Sequence, residues 1–301
     1  MEALEACGRI AIKNIAIKNI LFATDFSSHS NAALPYALAI AHQYGATLYG
    51  AHVLASDDYL FVAPEAWPGH LQQEEQMQHE AALRLAEQLR GVPHHALCGV
   101  GDVWDVLSGI VDEHDIDLLV VGSHGRTGAR KLLMDSTAEK IFRQASCPVL
   151  TAGPHVVHQQ KSVAEFGEIL FATNFGAESV VAASYAVSLA QEHQARLSLL
   201  HVVERTQAET ADPKSDFDLA MRQLRELVPP DTELLRHPEY FLEQGPSAER
   251  ILQFSLAHGV DLIVMGVHPA YGVVSAVTHL AHTTAQHMVA HATCPVLTVC
   301  V

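Results

Sequence analysis

The segment best equipped for chemistry is Gly122-Ser-His-Gly125-Arg-Thr-Gly128, which follows the apolar run Leu118 to Val121 and precedes Asp135-Ser136-Thr137. Glycine tolerates positive φ and close backbone approach, so successive N–H groups of such a loop can face an anion. A helix opening at Ser136 would add unsatisfied N–H donors and the positive end of its dipole. The chemistry would be that of a phosphate cradle. Glycines after a buried strand also serve simply as a turn, and that is their commoner use. Other phosphate signatures are missing. No GxxxxGKS or GxxxxGKT pattern occurs, and Gly99-Val-Gly101 has Trp104 where a dinucleotide fingerprint needs a third glycine. No nucleophile, base and orienting acid identify themselves around Ser123 or Ser136, so the segment reads as binding rather than hydrolytic.

The elements that must position this loop come in two sets. Ile20-Leu-Phe-Ala-Thr-Asp25-Phe26 returns as Ile169-Leu-Phe-Ala-Thr-Asn174-Phe175, and His52-Val53 returns as His201-Val202. Gly101 pairs with Gly245, Asp117-Leu118 with Asp261-Leu262, and Cys147-Pro-Val-Leu150 with Cys294-Pro-Val-Leu297. A repeat along the whole length means two copies of one architecture, joined between about residues 153 and 167. In the first copy, strand-like runs at 19–24, 47–54, 95–100, 118–122 and 148–152 alternate with helical patterns at 30–44, 71–90, 103–114 and 136–144. Ala33, Ala37, Leu38, Ala41 and Tyr44 form the expected buried stripe of the first helix, and Pro64 and Pro68 fall in a loop. Alternating βα units with nearly continuous apolar strands imply a parallel sheet covered on both faces. Such sheets bind ligands at the carboxyl ends of their strands, where the strand order switches. A short duplication, Ile10-Ala-Ile-Lys-Asn14 and Ile15-Ala-Ile-Lys-Asn19, precedes the first strand.

Composition narrows the partners. With 34 acidic and 18 basic residues the net charge is −16, which disfavours nucleic acid. Protonating all 20 histidines would carry it to +4, which makes acid sensing a hypothesis. Five cysteines without a CxxC pair suit a reduced compartment rather than a disulfide framework. Lys13 and Lys18 interrupt the apolar runs of residues 1–19, so neither a secretory signal nor a membrane span is expected. His279, His282, His287 and His291 spread over about half of a helix circumference. They do not converge as one metal site; a pair at His279 and His282 stays open as an alternative to exposed histidines.

These motifs, taken in order, resemble the universal stress protein (UspA) family, whose pattern G-x2-G-x9-G followed by Ser or Thr is matched at Gly122, Gly125 and Ser136. The likeness spans residues 15–153 and, more loosely, 167–301. It implies two tandem α/β domains, 1–153 and 167–301, with a linker at 154–166. Each is a five-stranded parallel sheet in a three-layer α/β/α arrangement of the adenine-nucleotide alpha hydrolase-like type. It implies a cytoplasmic stress-response protein whose first domain binds ATP or AMP, with no metal. Thr24, Asp25 and Val53 would surround the adenosine; Gly122, Ser123, His124, Gly125, Ser136 and Thr137 would surround ribose and phosphates. Asp25 can also cap the helix that follows it. The family's last strand commonly mediates dimerisation, so the resemblance implies an intramolecular pseudo-dimer, an optional homodimer and an unidentified protein partner, with no membrane.

The chain departs from the pattern in both halves. Asp135 replaces the third glycine of the first loop and brings a negative charge toward any phosphate; Arg126, Arg130 and Lys131 could offset it. In the second half Gly266 is kept, but Pro269, His282 and Thr283 stand where the first has Gly125, Asp135 and Ser136, and the loop is three residues longer. Proline cannot donate an N–H, and Asn174 replaces Asp25. The second half therefore reads as a structural or partner-facing unit. A nucleotide-free interaction scaffold is the competing reading, and a slow ATPase is a third.

Overall fold

The computed structural model describes residues 15–55, 67–122, 141, 144–156, 166–204, 213–268 and 284–300. Two compact units are formed, one by Ala16–Pro154 and the other built from His155–Val301.

In the first unit the order is β1 (Asn19–Ala23), α1 (Ser28–Asn31), α2 (Leu34–Tyr44), β2 (Thr47–Ala55), α3 (Trp67–Gln88), β3 (His94–Gly101), α4 (Val103–Glu113), β4 (Leu118–Gly122) and β5 (Val149–Ala152). All strands are parallel, in spatial order β3-β2-β1-β4-β5. Consecutive strand residues point to opposite faces, yet Ile20, Leu21 and Phe22 are all fully buried. Both faces of the sheet are therefore covered, as the continuous apolar runs require. The chain leaves β1 toward β2 on one side, while β4 lies on the other. A crevice thus opens between the carboxyl ends of β1 and β4.

The second unit repeats this plan with β6 (Glu168–Thr173), α5 (Ala177–Glu192), β7 (Arg196–Val203), α6 (Pro213–Glu226), β8 (Glu239–Gln244), α7 (Ser247–His258), β9 (Leu262–Val267), α8 (Thr284–His291) and β10 (Val296–Cys300). Its parallel order is β8-β7-β6-β9-β10. The repeated Asp-Leu pairs have a structural cause. Asp117 Oδ2 accepts the N–H groups of Lys18 (2.7 Å) and Asn19 (3.0 Å), and Asp261 Oδ2 accepts those of Gly167 (2.9 Å) and Glu168 (3.0 Å). Each aspartate satisfies main-chain donors at the start of its unit's first strand, where the ladder supplies no partner.

Three details differ from the sequence reading. The helix expected at 30–44 is two helices, because Pro35 lies at the start of α2, where a missing N–H is harmless, and could not continue α1. The buried stripe of α2 runs through Tyr36, Ala37, Ile40 and Ala41, with Leu38 and Tyr44 only half-buried. Pro68 stands in the first turn of α3 rather than in a loop. Of the expected helix at 136–144, Ile141 and Gln144 are helical and the rest lies outside the described residues.

The Cys-Pro sequences before β5 and β10 bury their thiols, and desolvation pushes Cys147 and Cys294 up to about 12. Such thiols pack and do not react. Among the described residues no helix is long and apolar enough to cross a membrane.

Candidate functional site

The crevice of the first unit is built around the turn that ends β1. Thr24 is buried; its N–H donates to the Ala51 carbonyl (2.9 Å), which extends the pairing with β2. Its Oγ1 accepts the N–H of Phe26 (3.0 Å) and shares a hydrogen bond with Ser30 Oγ (2.9 Å). Asp25 Oδ1 accepts the N–H of Ser27 (2.9 Å), an Asx turn, and Ser27 Oγ caps α1 by accepting the N–H of Ser30 (3.1 Å). The cap is therefore Ser27, and Asp25 shapes the turn before it.

This turn forces Phe26 to φ +62°, a conformation that aromatic residues rarely adopt. Ring contacts hold it there. The Phe26 centroid is 4.6 Å from that of His52, and the Arg84 guanidinium lies 4.3 Å from the Phe26 centroid. His52 is buried, and its Nδ1 lies 2.7 Å from the Thr24 carbonyl oxygen. A carbonyl only accepts, so Nδ1 carries the proton. In the sequence His52 stands out only through its repeat at His201, and nothing there singles out Phe26 or Arg84.

Gly122 closes the other side. A Cβ there would lie 2.5 Å from the His29 carbonyl oxygen and 2.7 Å from the Ser30 Cα, so the end of β4 rests directly on the backbone of α1. Close approach, not positive φ, demands this glycine. Ala23 of β1 is in register with Ala51 of β2 and Val121 of β4, which brings Thr24, Asp25 and Gly122 together at the switch point. Val53 is half-buried on the stretch of β2 that extends past the end of β1. Ser123, His124, Gly125, Ser136 and Thr137 lie outside the described residues, as does Asp135.

The second unit reproduces the scaffold but changes its charges. Phe175 also sits at φ +62°, its N–H donating to Thr173 Oγ1 (3.0 Å) and its ring centroid 4.4 Å from that of His201. His201 Nδ1 bonds the Thr173 carbonyl oxygen (2.8 Å), and burial pulls this imidazole below the usual histidine range. Asn174 Oδ1 keeps the Asx turn by accepting from the Gly176 N–H (3.0 Å), and it also accepts from Ser179 Oγ (2.8 Å). A Cβ on Gly266 would lie 2.6 Å from the Glu178 carbonyl carbon and 2.7 Å from the Ser179 nitrogen.

Three charges differ between the crevices. Asn174 replaces Asp25, and Glu178 replaces His29. Ala81 and Leu85 are the buried counterparts of Ala220 and Leu224, which puts Gln223 where the first unit has Arg84. Glu178 is buried and paired with His268 Nδ1. Pro269, His279, His282 and Thr283 lie outside the described residues. His287 and His291 stack with centroids 4.2 Å apart, and His291 Nδ1 donates to the His287 carbonyl (3.0 Å). Among the described residues no three His, Cys, Asp or Glu side chains converge to hold a metal ion.

Comparison with known proteins agrees with this architecture. The chain is 33% identical over 138 residues to universal stress protein A homolog 1 of Coxiella burnetii, an alignment covering 44% of this chain and 94% of that protein. It is 33% identical over 127 residues to a universal stress protein A homolog of Haemophilus influenzae, covering 40% of this chain and 86% of the relative. A crystal structure of a universal stress protein from Archaeoglobus fulgidus superposes with a TM-score of 0.70 at 18% identity, covering 93% of this chain and 97% of that one, a likeness of fold. The universal stress protein family model matches twice, over residues 16–152 and 165–299, and the chain therefore belongs to the universal stress protein family as a tandem of two such domains.

Proposed function

We propose that the first domain binds an adenine nucleotide, ATP or AMP, and that the protein is a cytoplasmic stress-response protein acting through its conformation or a protein partner. The observation that carries this is the convergence of Thr24, Asp25 and Gly122 at the carboxyl ends of β1 and β4, the place where parallel sheets take ligands. A carboxylate at Asp25 suits a ribose hydroxyl or an adenine amine. By the sequence pattern, phosphate would fall to the glycine loop that follows Gly122, with Ser123, His124, Gly125, Ser136 and Thr137 expected around it. Val53 would flank the adenosine. Arg84 adds a cation beside the turn. The second domain, with Asn174 and Gln223 in place of Asp25 and Arg84, we read as the structural or partner-facing unit.

Releasing bound small molecules by denaturation, followed by chromatography, and titration calorimetry with ATP and AMP test the proposal. Gly122 is unsuitable for mutagenesis here, because any side chain would strike α1. Asp25→Asn is the better probe, since Asn174 shows that asparagine builds the same turn. A hydrogen bond to a charged group contributes about 1.5–3 kcal/mol, so this change should weaken binding roughly tenfold or more while the melting temperature stays put. Absence of extractable nucleotide together with no heat at millimolar ATP or AMP would sink the proposal and favour a nucleotide-free scaffold.

A further inference from the structure

The crevice of the second unit contains a carboxylate of its own. Glu178 is the second residue of α5, a helix of 16 residues, and its side chain is 8% exposed although most first-turn acids are solvated. Oε1 pairs with Nδ1 of His268, just beyond the end of β9. The other oxygen folds back over the start of the helix: a Cβ on Gly176 would lie 2.6 Å from Glu178 Oε2 and 3.1 Å from Asn174 Oδ1. Glycine at this N-cap therefore makes room for the carboxylate where the first unit has Ser27 capping with its own hydroxyl. The backbone of Glu178 is also the surface on which Gly266 rests. The carboxylate thus lies at the positive end of α5, beside the end of β9, the counterpart of the place where the first unit starts its glycine loop. His29, exposed and carrying no carboxylate, holds this position in the first unit.

We infer that Glu178 is the specificity-determining residue of the second domain: it sets a buried carboxylate in the crevice beside the end of β9 and bars phosphate-bearing ligands from it. An arriving phosphate would meet a like charge in a poorly solvated site, where repulsion is strongest. His268 is 74% exposed, so its side of the pair is open to water and screened. The inference rests on the reading of the first crevice as a nucleotide site, and it names one residue that makes the two crevices unequal.

The test is hydrogen–deuterium exchange of the full chain with and without ATP, read peptide by peptide. In the unmodified protein, ATP should protect the ends of β1 and β4 and leave residues 174–180 and 262–268 unprotected up to millimolar concentration. Glu178→Gln removes the charge and keeps the size, and should bring ATP-dependent protection to 174–180 and 262–268, with at least tenfold higher affinity there. Glu178→His, which copies the first unit, should do the same and covers the case in which glutamine disturbs the fold. His268→Ala, which leaves the carboxylate in place, should gain nothing. Folded glutamine and histidine variants that show no new protection at millimolar ATP overturn the inference, as does protection of these peptides in the unmodified protein or in His268→Ala. Misfolding of both Glu178 variants would assign the residue to stability and overturn it as well. Failure of the nucleotide reading looks different, since protection at β1 and β4 would then be missing from every variant.

Discussion

His201 shows how one buried ring ties a turn to pH. Its Nδ1 holds the Thr173 carbonyl, its ring rests against Phe175 at φ +62°, and burial, the largest influence, lowers its affinity for a proton, while the Thr173 bond acts in the opposite sense. A histidine whose folded value lies below its unfolded 6.5 binds the proton better in the unfolded chain. The stability tied to the neutral ring is therefore complete above pH 6.5 and is lost progressively as pH falls from 6.5 through the lowered folded value. We expect urea midpoints of the second unit to fall between pH 7.5 and 5.5, and the slope to flatten in His201→Gln. An unchanged slope in that variant would assign the loss to other histidines among the 20 in the chain.

At the scale of elements, the end of the fourth strand of each unit presses on the first turn of a helix, and glycine is the only residue that permits it. Adding one methyl at Gly122 or Gly266 sets it 2.5–2.7 Å from main-chain atoms of α1 or α5, which cannot swing aside as a side-chain tip would. Gly122→Ala and Gly266→Ala should each destabilise their unit by about 1–3 kcal/mol, the usual cost of overpacking, measured by urea denaturation. A loss below roughly 0.5 kcal/mol, the range of ordinary surface changes, would refute the close-approach account. Part of this was legible beforehand: the loop glycine and its repeat stood out, but its role appeared to be ligand contact. Contacts between Gly122 and His29 span most of the unit in sequence, and local patterns carry no information about them. The same holds for Arg84 and Phe26, which the packing of α3 brings together. The break at Pro35 does not show in the apolar spacing, which runs on across α1 and α2.

For the whole molecule, both tryptophans, Trp67 and Trp104, belong to the first unit, so tryptophan fluorescence follows that unit while far-ultraviolet circular dichroism follows both. Binding to the folded state alone stabilises it by about 2.7 kcal/mol at a ligand concentration a hundred times Kd. Added ATP should therefore raise the fluorescence-detected urea midpoint, while the part of the dichroism signal that fluorescence does not follow stays in place. A shift of both would mean that the second domain also takes the ligand. By itself the sequence determined that the chain is a tandem repeat, that each half alternates strands and helices into a covered parallel sheet, and that a glycine loop after the fourth strand is the feature to test. Those conclusions rest on periodicity and composition, which are local. Only the tertiary structure decided that Phe26, His52 and Arg84 share one turn, that Gly122 and Gly266 rest on helices, and that Glu178 is buried beside the end of β9. A glutamate in the first turn of a helix looks solvated in any sequence. Its burial depends on the strand that folding places beside it.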